Sequence, residues 1–295
     1  MSEPVLVREP HDHVVVLRLN RPEKRNALDM ALMSAIGSAL AAAEDDPDTR
    51  CVVLTGTGDR AFCAGLDLAG FAAGATPTDE QRDGLRAFTR FLAGEITVPI
   101  VGAANATAVA GGLELLLGCD VVVVSDAAQL GLPEVKRGLF AAGGGVFLGT
   151  RIPLAVALEM VLTGDPIDAA RAHPLGLVNA VVPAAAVLDT ALDLARRSAA
   201  NGPLAVAASK ELVRLANLDA AAARERQSEL HPAVFGSEDA KEGATAFIER
   251  RAPEWRGRRG PAGAPAGGGG AGPRGVGGAL AAARKRRLGD DRPAP

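Results

Sequence analysis

The sequence predicts an α/β protein in which mainly parallel, buried strands come first and a series of helices follows. Apolar stretches short enough to be buried strands alternate with segments of helical periodicity, and these stretches lie at 51–55, 99–103 and 119–124. Beyond them the chain is predicted to be helical at about 184–200, 203–217, 219–230 and 237–251. This order indicates a sheet-containing core followed by helices that serve packing or subunit contacts.

Local signals support individual elements near the N-terminus. Residues 13–20 are β-branched and then alternate between apolar and polar, which predicts a strand. Asp29 is a predicted N-cap for a helix that reaches about residue 44, because its side chain can accept from free backbone N–H groups. Thr78 is the corresponding cap for a helix at about 79–95.

Composition and charge exclude several classes of protein. The chain has 295 residues, of which 23% are charged and 48% are apolar, as in soluble globular proteins. Its three cysteines have no CxxC spacing, so neither a disulfide framework nor a zinc site is predicted, and a reduced, cytoplasmic setting is expected. No apolar run has membrane-spanning length. Basic residues concentrate after residue 257, which leaves an acidic body and argues against nucleic acid as a partner.

The stretch 105–138 carries the features that predict chemistry. Gly111 and Gly112 lie where a loop gives way to an apolar helix, so backbone N–H groups at that helix start can point at an anion. Glu114 and Glu134 lie within or near apolar sequence, where an unpaired charge is costly. If both carboxyl groups face one cavity, they can share a water, one accepting a proton while the other donates.

Each of these features also has a purely structural explanation. The glycines can simply form tight corners of the chain. Glu114 can lie on a helix surface, although its leucine neighbours leave little polar face, and Glu134 can pair with a neighbouring cation such as Arg137.

A second glycine-containing loop offers another candidate donor. A backbone N–H near Ala64 could join one near Gly111 to form a two-donor oxyanion hole. The same loop begins with Gly56-Thr-Gly58, but residues 62–65 are a poor start for the long helix of a dinucleotide-binding site. Cys63 is predicted to serve packing, because small apolar thiols are usually buried and inert. None of the four histidines lies near a nucleophile in a recognisable motif, which disfavours a Ser-His-Asp hydrolase.

Five motifs stand in the order found in a known family. They are Asn20-Arg-Pro-Glu-Lys-Arg-Asn-Ala-Leu28, Phe62-Cys-Ala-Gly-Leu-Asp67, Ala110-Gly-Gly-Leu-Glu114, Cys119-Asp120 and Gly131-Leu-Pro-Glu-Val-Lys-Arg-Gly138. Through them the chain resembles the crotonase, or enoyl-CoA hydratase/isomerase, superfamily over roughly residues 5–258. The resemblance implies a crotonase-like spiral of ββα units at 1–195 and a C-terminal helical trimerisation region at 196–256, assembled as a homotrimer or a dimer of trimers. Residues 257–295 are predicted to form a disordered tail rich in Gly, Ala, Pro and Arg, and the part after Arg258 has no counterpart in the family.

The resemblance also implies an acyl-CoA thioester substrate and a role for each site residue. The backbone N–H groups of Ala64 and Gly111 would bind the thioester oxygen, which becomes an enolate oxyanion. Glu114 would activate water for addition to Cβ, and Glu134 would supply a proton to Cα. The residues implied to line the CoA and pantetheine path are Lys24, Arg25, Ala27, Ala61, Gly65, Asp67, Leu68 and Pro133. Neither a metal nor a cofactor is expected, because coenzyme A is part of the substrate.

The presence of both glutamates favours the hydratase branch, a hydro-lyase that adds water across the 2-trans double bond of an enoyl-CoA. Many isomerases of the superfamily retain only the glutamate that matches Glu134. The chain has no tyrosine, which excludes branches that need a catalytic one, and Ala142 stands where some dienoyl isomerases have an extra acid. The alternatives are an enoyl-CoA isomerase or other acyl-CoA lyase of this fold, and a non-catalytic acyl-CoA binding protein.

Overall fold

The computed structural model describes residues 3–74 and 76–257. This part of the chain divides into two compact units, one formed by residues up to 94 with 98–197 and the other by residues 95–97 with 198 onward. The predicted tail lies outside the described residues except for Gly257. The domain boundaries inferred from the sequence stay predictions.

Two sheets form the centre of the first unit. The described strands are β1 (Leu6–His11), β2 (Val14–Leu19), β3 (Cys51–Gly56), β4 (Ile100–Ala104), β5 (Ala108–Val109), β6 (Val121–Ser125), β7 (Gln129–Gly131), β8 (Ile167–Asp168) and β9 (Ala180–Val182). The larger sheet has the order β1-β2-β3-β4-β6-β9, and the smaller one has the order β5-β7-β8. From β2 to β9 neighbouring strands of the larger sheet are parallel, whereas β1 pairs antiparallel with β2.

Helices connect these strands and make up the C-terminal part of the described chain. They are α1 (Met30–Asp45), α2 (Leu68–Ala72), α3 (Asp79–Leu92), α4 (Gly111–Gly118), α5 (Leu154–Thr163), α6 (Ala169–Ala172), α7 (Val187–Ala199), α8 (Pro203–Leu218), α9 (Ala220–Phe235) and α10 (Glu238–Glu249). Short 3₁₀ helices lie at Pro22–Lys24, Pro133–Arg137, Gly145–Thr150 and Ala184–Ala186. The alternation of parallel strands and helices confirms the predicted α/β class.

The predicted helix caps are present, and the differences lie at the edges of elements. The Asp29 side chain accepts the Leu32 N–H at 2.8 Å, and Thr78 forms a capping box at the start of α3. Helix α3 ends at Leu92, before the predicted residue 95, because Gly94 adopts a left-handed φ of 74°. Strand β1 was not predicted, since it carries a proline and lies at the sheet edge, where a missing N–H is tolerated.

Helices α1 and α3 cross with their backbones in direct contact. A Cβ atom on Gly37 would lie 1.8 Å from the carbonyl oxygen of Gly84, and one on Gly84 would lie 2.4 Å from the carbonyl oxygen of Ser34. Only glycine permits this approach, so the pair fixes how closely α3 packs on α1. The crossing thereby sets the position of the apolar face of α3 that lines the cavity described below.

The second unit combines apolar packing with buried polar contacts. Leu215 of α8 packs with Ala223 of α9. Glu211, which is 3% exposed, accepts a hydrogen bond from Arg226 at 2.7 Å and thereby joins the same two helices. The Asp239 carboxylate of α10 accepts the backbone N–H groups of residues 256 and 257. No helix in the described ranges is both long enough and apolar enough to span a membrane.

Candidate active site

A cavity of about 520 Å³ lies within the first unit, a size typical of small-molecule sites. Backbone from Val109 to Gly111 and side chains of α1, α3 and the 3₁₀ helix Pro133–Arg137 form its wall. The apolar side chains in the lining include Leu28, Met30, Met33, Leu66, Leu85, Phe88, Leu92, Leu139 and Phe140. The polar side chains in the described lining are Thr89, Glu114, Glu134 and Arg137. The fold therefore brings the two suspected glutamates to one largely apolar cavity.

Glu114 lies in the first turn of α4 and is held by backbone donors. Only 7% of the residue is exposed, and its Oε1 accepts the Gly145 N–H at 2.9 Å. Burial raises the pKa of Glu114, while the backbone amides of Gly145 and Gly143 act in the opposite direction by stabilising the carboxylate. A Cβ on Gly143 would lie 2.6 Å from Glu114 Oε2, so glycine at that position leaves room for the carboxylate. The group is thus fixed in orientation and has an increased proton affinity.

Glu134 lies in the 3₁₀ helix Pro133–Arg137, which ends at Gly138 with a φ of 71°. Burial raises the pKa of Glu134; its own backbone amide lowers it, the charge of Glu114 raises it, and the charge of Arg137 lowers it. Its Oε2 is buried and has no hydrogen-bond partner among the described residues. The charge of Glu114 thus contributes to the raised pKa of Glu134.

The structure contradicts the prediction that the Ala64 N–H binds substrate. That N–H donates to the carbonyl oxygen of Arg25 at 3.0 Å, so it is already engaged within the protein. Two residues further on, Leu66 pairs with Leu28 as in a parallel ladder: the Leu28 N–H donates to Gly65 and the Asp67 N–H donates to Leu28. In such a ladder the N–H of the central residue points to the other side of the strand. The Leu66 N–H accordingly donates to no acceptor within residues 3–74 and 76–257.

The start of α4 packs directly against the loop that carries Leu66. A Cβ on Gly112 would lie 2.1 Å from the carbonyl oxygen of Cys63, and one on Gly111 would lie 3.5 Å from Gly65 Cα. The Gly111 N–H opens the helix and has no acceptor within it. Ala110, just before, has a φ of 52° and a ψ of −129°, a conformation that favours glycine and costs about 1–3 kcal/mol for other residues. Gly111 and Leu66 both line the cavity.

The remaining predicted site residues fall into two groups. Leu68 and Pro133 line the cavity, as do Glu114, Glu134 and Gly111. The predicted substrate-binding residues outside its lining are Lys24, Arg25, Ala27, Ala61, Gly65 and Asp67. Lys24 and Arg25 are exposed, so they are open to a ligand that extends beyond the cavity.

Two of the predicted residues outside the lining, Asp67 and Ala61, hold the loops around the site in place. The Asp67 carboxylate accepts from Arg21 at 3.0 Å, and this contact lowers the pKa of Asp67. Arg21 also contacts Asp29 at 3.1 Å, which ties the loop after β2 to the start of α1. The fully buried Asn26 donates to the carbonyl oxygen of Ala61 at 3.1 Å. Asp67 and Ala61 therefore position the walls of the site from outside its lining.

This set of groups has a defined chemical capability. The N–H groups of Leu66 and Gly111, which have no acceptor among the described residues, can stabilise negative charge that develops on an oxygen in the cavity. Beside them lie Glu114 and Glu134, whose raised pKa values suit them to exchange protons with water or carbon. The apolar surroundings strengthen both effects by excluding water.

Comparison with known proteins agrees with this chemistry. The family profile described as enoyl-CoA hydratase/isomerase matches residues 9–258. The chain belongs to that family. It is 39% identical to the enoyl-CoA hydratase EchA19 of Mycobacterium tuberculosis over 87% of this chain and 98% of the relative. It is also 38% identical to the carnitinyl-CoA dehydratase of Proteus mirabilis over 83% of this chain and 95% of the relative.

Solved structures of the family show the same fold. A crystal structure of an enoyl-CoA hydratase from Mycobacterium tuberculosis superposes with a TM-score of 0.80, 41% identity and coverage of 87% of this chain and 100% of that one. A carnitinyl-CoA hydratase from Mycobacterium avium gives a TM-score of 0.68, with 40% identity and the same coverage. These similarities confirm the crotonase fold inferred from the motifs.

Within this family framework, sequence reasoning missed Leu66 and the loop-holding residues Arg21 and Asn26. All three lie inside motifs quoted above, but no local pattern shows which N–H of a loop is engaged. Cys63, in contrast, behaves as predicted, because burial raises the pKa of its thiol to about 12 and keeps it unreactive. The described residues contain no group of three or more His, Cys, Asp or Glu side chains arranged to hold a metal ion.

Proposed function

We propose that this protein is an enoyl-CoA hydratase, a hydro-lyase that adds water across the 2-trans double bond of an enoyl-CoA thioester. The observation that carries the proposal is that the buried Glu114 and the partly buried Glu134 line one apolar cavity beside two backbone donors with no acceptor among the described residues. Membership of the family and the names of its relatives agree with this function.

In the proposed reaction each group has one task. The Glu114 carboxylate takes a proton from water as the water oxygen bonds to Cβ. The electron pair of the double bond moves toward the thioester, whose oxygen becomes an enolate oxyanion held by the N–H groups of Leu66 and Gly111. Glu134 then delivers its proton to Cα, and the enolate collapses to the 3-hydroxyacyl thioester. No separate cofactor is needed, since coenzyme A belongs to the substrate.

A product analysis tests this function directly. Incubation with a 2-trans-enoyl-CoA should abolish the enoyl-thioester absorbance and give a product heavier by one water. A product of unchanged mass with a shifted double bond would instead identify an isomerase. Binding of the acyl-CoA without any chemical change would overturn the assignment of catalysis.

The proposed donor pair can be tested at the level of single backbone atoms. Replacing the amide nitrogen of Leu66 by an ester oxygen removes that N–H without changing the side chain. We expect the rate constant kcat to fall about 10²–10³-fold, as when one oxyanion donor is lost. Steady-state kinetics on the ester-containing protein, made by chemical synthesis and refolding or by translation with the matching hydroxy acid, measure this change.

The matched control is the same ester substitution at Ala64. It removes the hydrogen bond to Arg25, so it should lower the free energy of unfolding by about 0.5–1.5 kcal/mol while changing kcat little. A large loss of kcat for the Ala64 ester together with an unaffected Leu66 ester would show that Ala64, and not Leu66, supplies the donor.

The pH dependence of hydration should report the ionisation of the two glutamates. The reacting state has Glu114 ionised and Glu134 protonated, so kcat/KM should rise and then fall with pH. Burial raises both pKa values, which places the acid limb above the ordinary glutamate value of 4.5. Because Arg137 lowers the pKa of Glu134, Arg137→Met should move the alkaline limb to higher pH, as pH–rate profiles can measure. An acid limb at or below 4.5 would contradict this.

We also propose that the chain acts in fatty acid β-oxidation in the cytoplasm, with no nucleic acid or membrane partner. We further propose that it assembles as a homotrimer or a dimer of trimers. Three leucines of α5, Leu154, Leu158 and Leu162, support a self-association surface because they are 64%, 45% and 74% exposed at four-residue spacing. Light scattering coupled to size exclusion measures the assembly, and a monomer at micromolar concentration would contradict it.

A further inference from the structure

The relatives named above leave the acyl group of the substrate open. Some are called enoyl-CoA hydratases and others carnitinyl-CoA dehydratases, at nearly equal identity to this chain. The acyl group of a carnitinyl thioester carries a fixed trimethylammonium charge, whereas a simple fatty acyl group carries none. The charge and polarity of the cavity lining distinguish these two classes of substrate.

We propose that the cavity accepts an enoyl-CoA with an uncharged, apolar acyl group and rejects one that carries a fixed positive charge. The proposal rests on the hydratase function proposed above and narrows its substrate class. It depends on three features of the lining: an apolar wall, the absence of a carboxylate beyond the reacting pair, and a cation at the rim.

The wall formed by α1 and α3 is apolar. Met30 and Met33 come from α1, and Leu85, Phe88 and Leu92 come from α3. The one polar side chain of this wall, that of Thr89, donates its hydroxyl to the carbonyl oxygen of Leu85 at 3.0 Å. An apolar acyl group gains free energy by burying its surface here, whereas a cation loses hydration without finding a partner.

The carboxylates of the described lining are those of the proposed reacting pair, Glu114 and Glu134. Glu114 is committed to the amides of Gly143 and Gly145, and Glu134 is the second member of the proton-transfer pair. An ammonium group that paired with either of them would lower its pKa and oppose the proton transfer. In this lining a cationic substrate would meet an apolar wall and a reacting pair whose proton transfer it would disfavour.

Aromatic faces provide no alternative site for a quaternary ammonium. Such groups are bound by cages of several aromatic rings. The aromatic residues in the described lining are Phe88, whose ring packs edge-on against Phe91, and Phe140, which is 71% exposed. Arg137 is the cation in this lining, and its own charge repels a second one.

A pair of isosteric thioesters tests the inference. One is a but-2-enoyl-CoA bearing a trimethylammonium group on C4, and the other carries the neutral tert-butyl group in its place. We expect kcat/KM for hydration to be at least about 10²-fold higher for the neutral compound, because the cation must be desolvated without a partner. Equal values, or a preference for the cation, would overturn the proposal.

Binding of the saturated forms of the two thioesters separates this proposal from the proposed function. Calorimetry should give a dissociation constant at least about tenfold lower for the neutral compound, whether or not the protein hydrates its unsaturated form. Selective binding without hydration would support the acyl preference and contradict the hydratase function. Hydration of both compounds without selective binding would support the hydratase function and contradict the acyl preference.

Two variants address the cation at the rim. Arg137→Met should reduce the preference for the neutral compound by about threefold or more, because it removes the repelling charge from the lining. The adjacent Lys136 is paired with Asp165 and lies outside the lining, so Lys136→Met should leave the ratio unchanged. An equal response of both variants would show that net charge near the site, and not the cavity lining, sets the preference.

Discussion

Glu114→Gln should lower kcat for hydration of a 2-trans-enoyl-CoA by about 10²–10⁴-fold, since the amide cannot accept a proton from water. The side chains are nearly isosteric, and Gln still offers an oxygen to the Gly145 N–H that holds Glu114 at 2.9 Å. KM should therefore change much less than kcat, as expected when an interaction made in the transition state is lost. Steady-state kinetics on several acyl lengths measure both constants.

Glu134→Gln should show a loss of the same order, because no proton can then be delivered to Cα. The two losses should not add in the double variant, since the carboxyl groups act as one pair. Glu225→Gln, an exposed carboxylate of α9, is the matched control and should keep wild-type kinetics. If either active-site variant retains wild-type rates on every enoyl-CoA tested, the two-acid mechanism is wrong. Loss of activity in Glu134→Gln alone would indicate an isomerase or another lyase.

Gly112→Ala should be the most disruptive methyl group that can be added to the site. Its Cβ would lie 2.1 Å from the carbonyl oxygen of Cys63, which belongs to the backbone and cannot rotate away. We expect the free energy of unfolding to fall by about 3 kcal/mol, the upper part of the range for overpacked positions. Where the variant folds, kcat should fall as well, because α4 carries both Gly111 and Glu114 away from the loop of Leu66.

Gly70→Ala provides the comparison for this prediction. A Cβ at Gly70 has no atom within 4 Å, so the change should stabilise α2 by at most about 1 kcal/mol and leave activity intact. Chemical denaturation gives both free energies, and enzyme assays are run in parallel. A Gly112→Ala variant as stable and active as Gly70→Ala would show that the contact between α4 and the Cys63 loop is not needed.

Much of the fold follows from local sequence. The apolar runs 51–55 and 121–124 lie in strands β3 and β6 because a parallel sheet covered by helices has no polar face, whereas residues 119 and 120 of the predicted strand precede β6. The caps at Asp29 and Thr78 are likewise local: Asp29 accepts the Leu32 N–H, and the Thr78 N–H donates to the Gln81 side chain of the same helix start. Strand β1 is not predicted from the sequence because it contains a proline and, at the edge of the sheet, lacks a regular pattern of buried apolar residues.

Some features of the site also follow from local sequence, and others do not. Glu114 and Glu134 could be suspected from sequence, because carboxylates among leucines or beside a Gly-rich turn are costly unless they have a function. Which N–H of the loop lacks an acceptor could not be predicted, because Ala64 and Leu66 lie in one loop and only the fold decides which acceptor each N–H meets. That difference arises from the pairing of this loop with residues 25–28, which are distant in sequence.

The sequence by itself determined the α/β class, the helix starts and the family, and it singled out Glu114 and Glu134, since periodicity, capping chemistry and motifs are properties of neighbouring residues. Only the tertiary structure decided that Leu66 and not Ala64 has an unengaged amide, that Arg21 and Asn26 hold the loops, and that α1 and α3 wall the cavity with apolar side chains. These features depend on contacts between backbone groups and helix faces that are distant in sequence. Such long-range contacts leave no local sequence pattern.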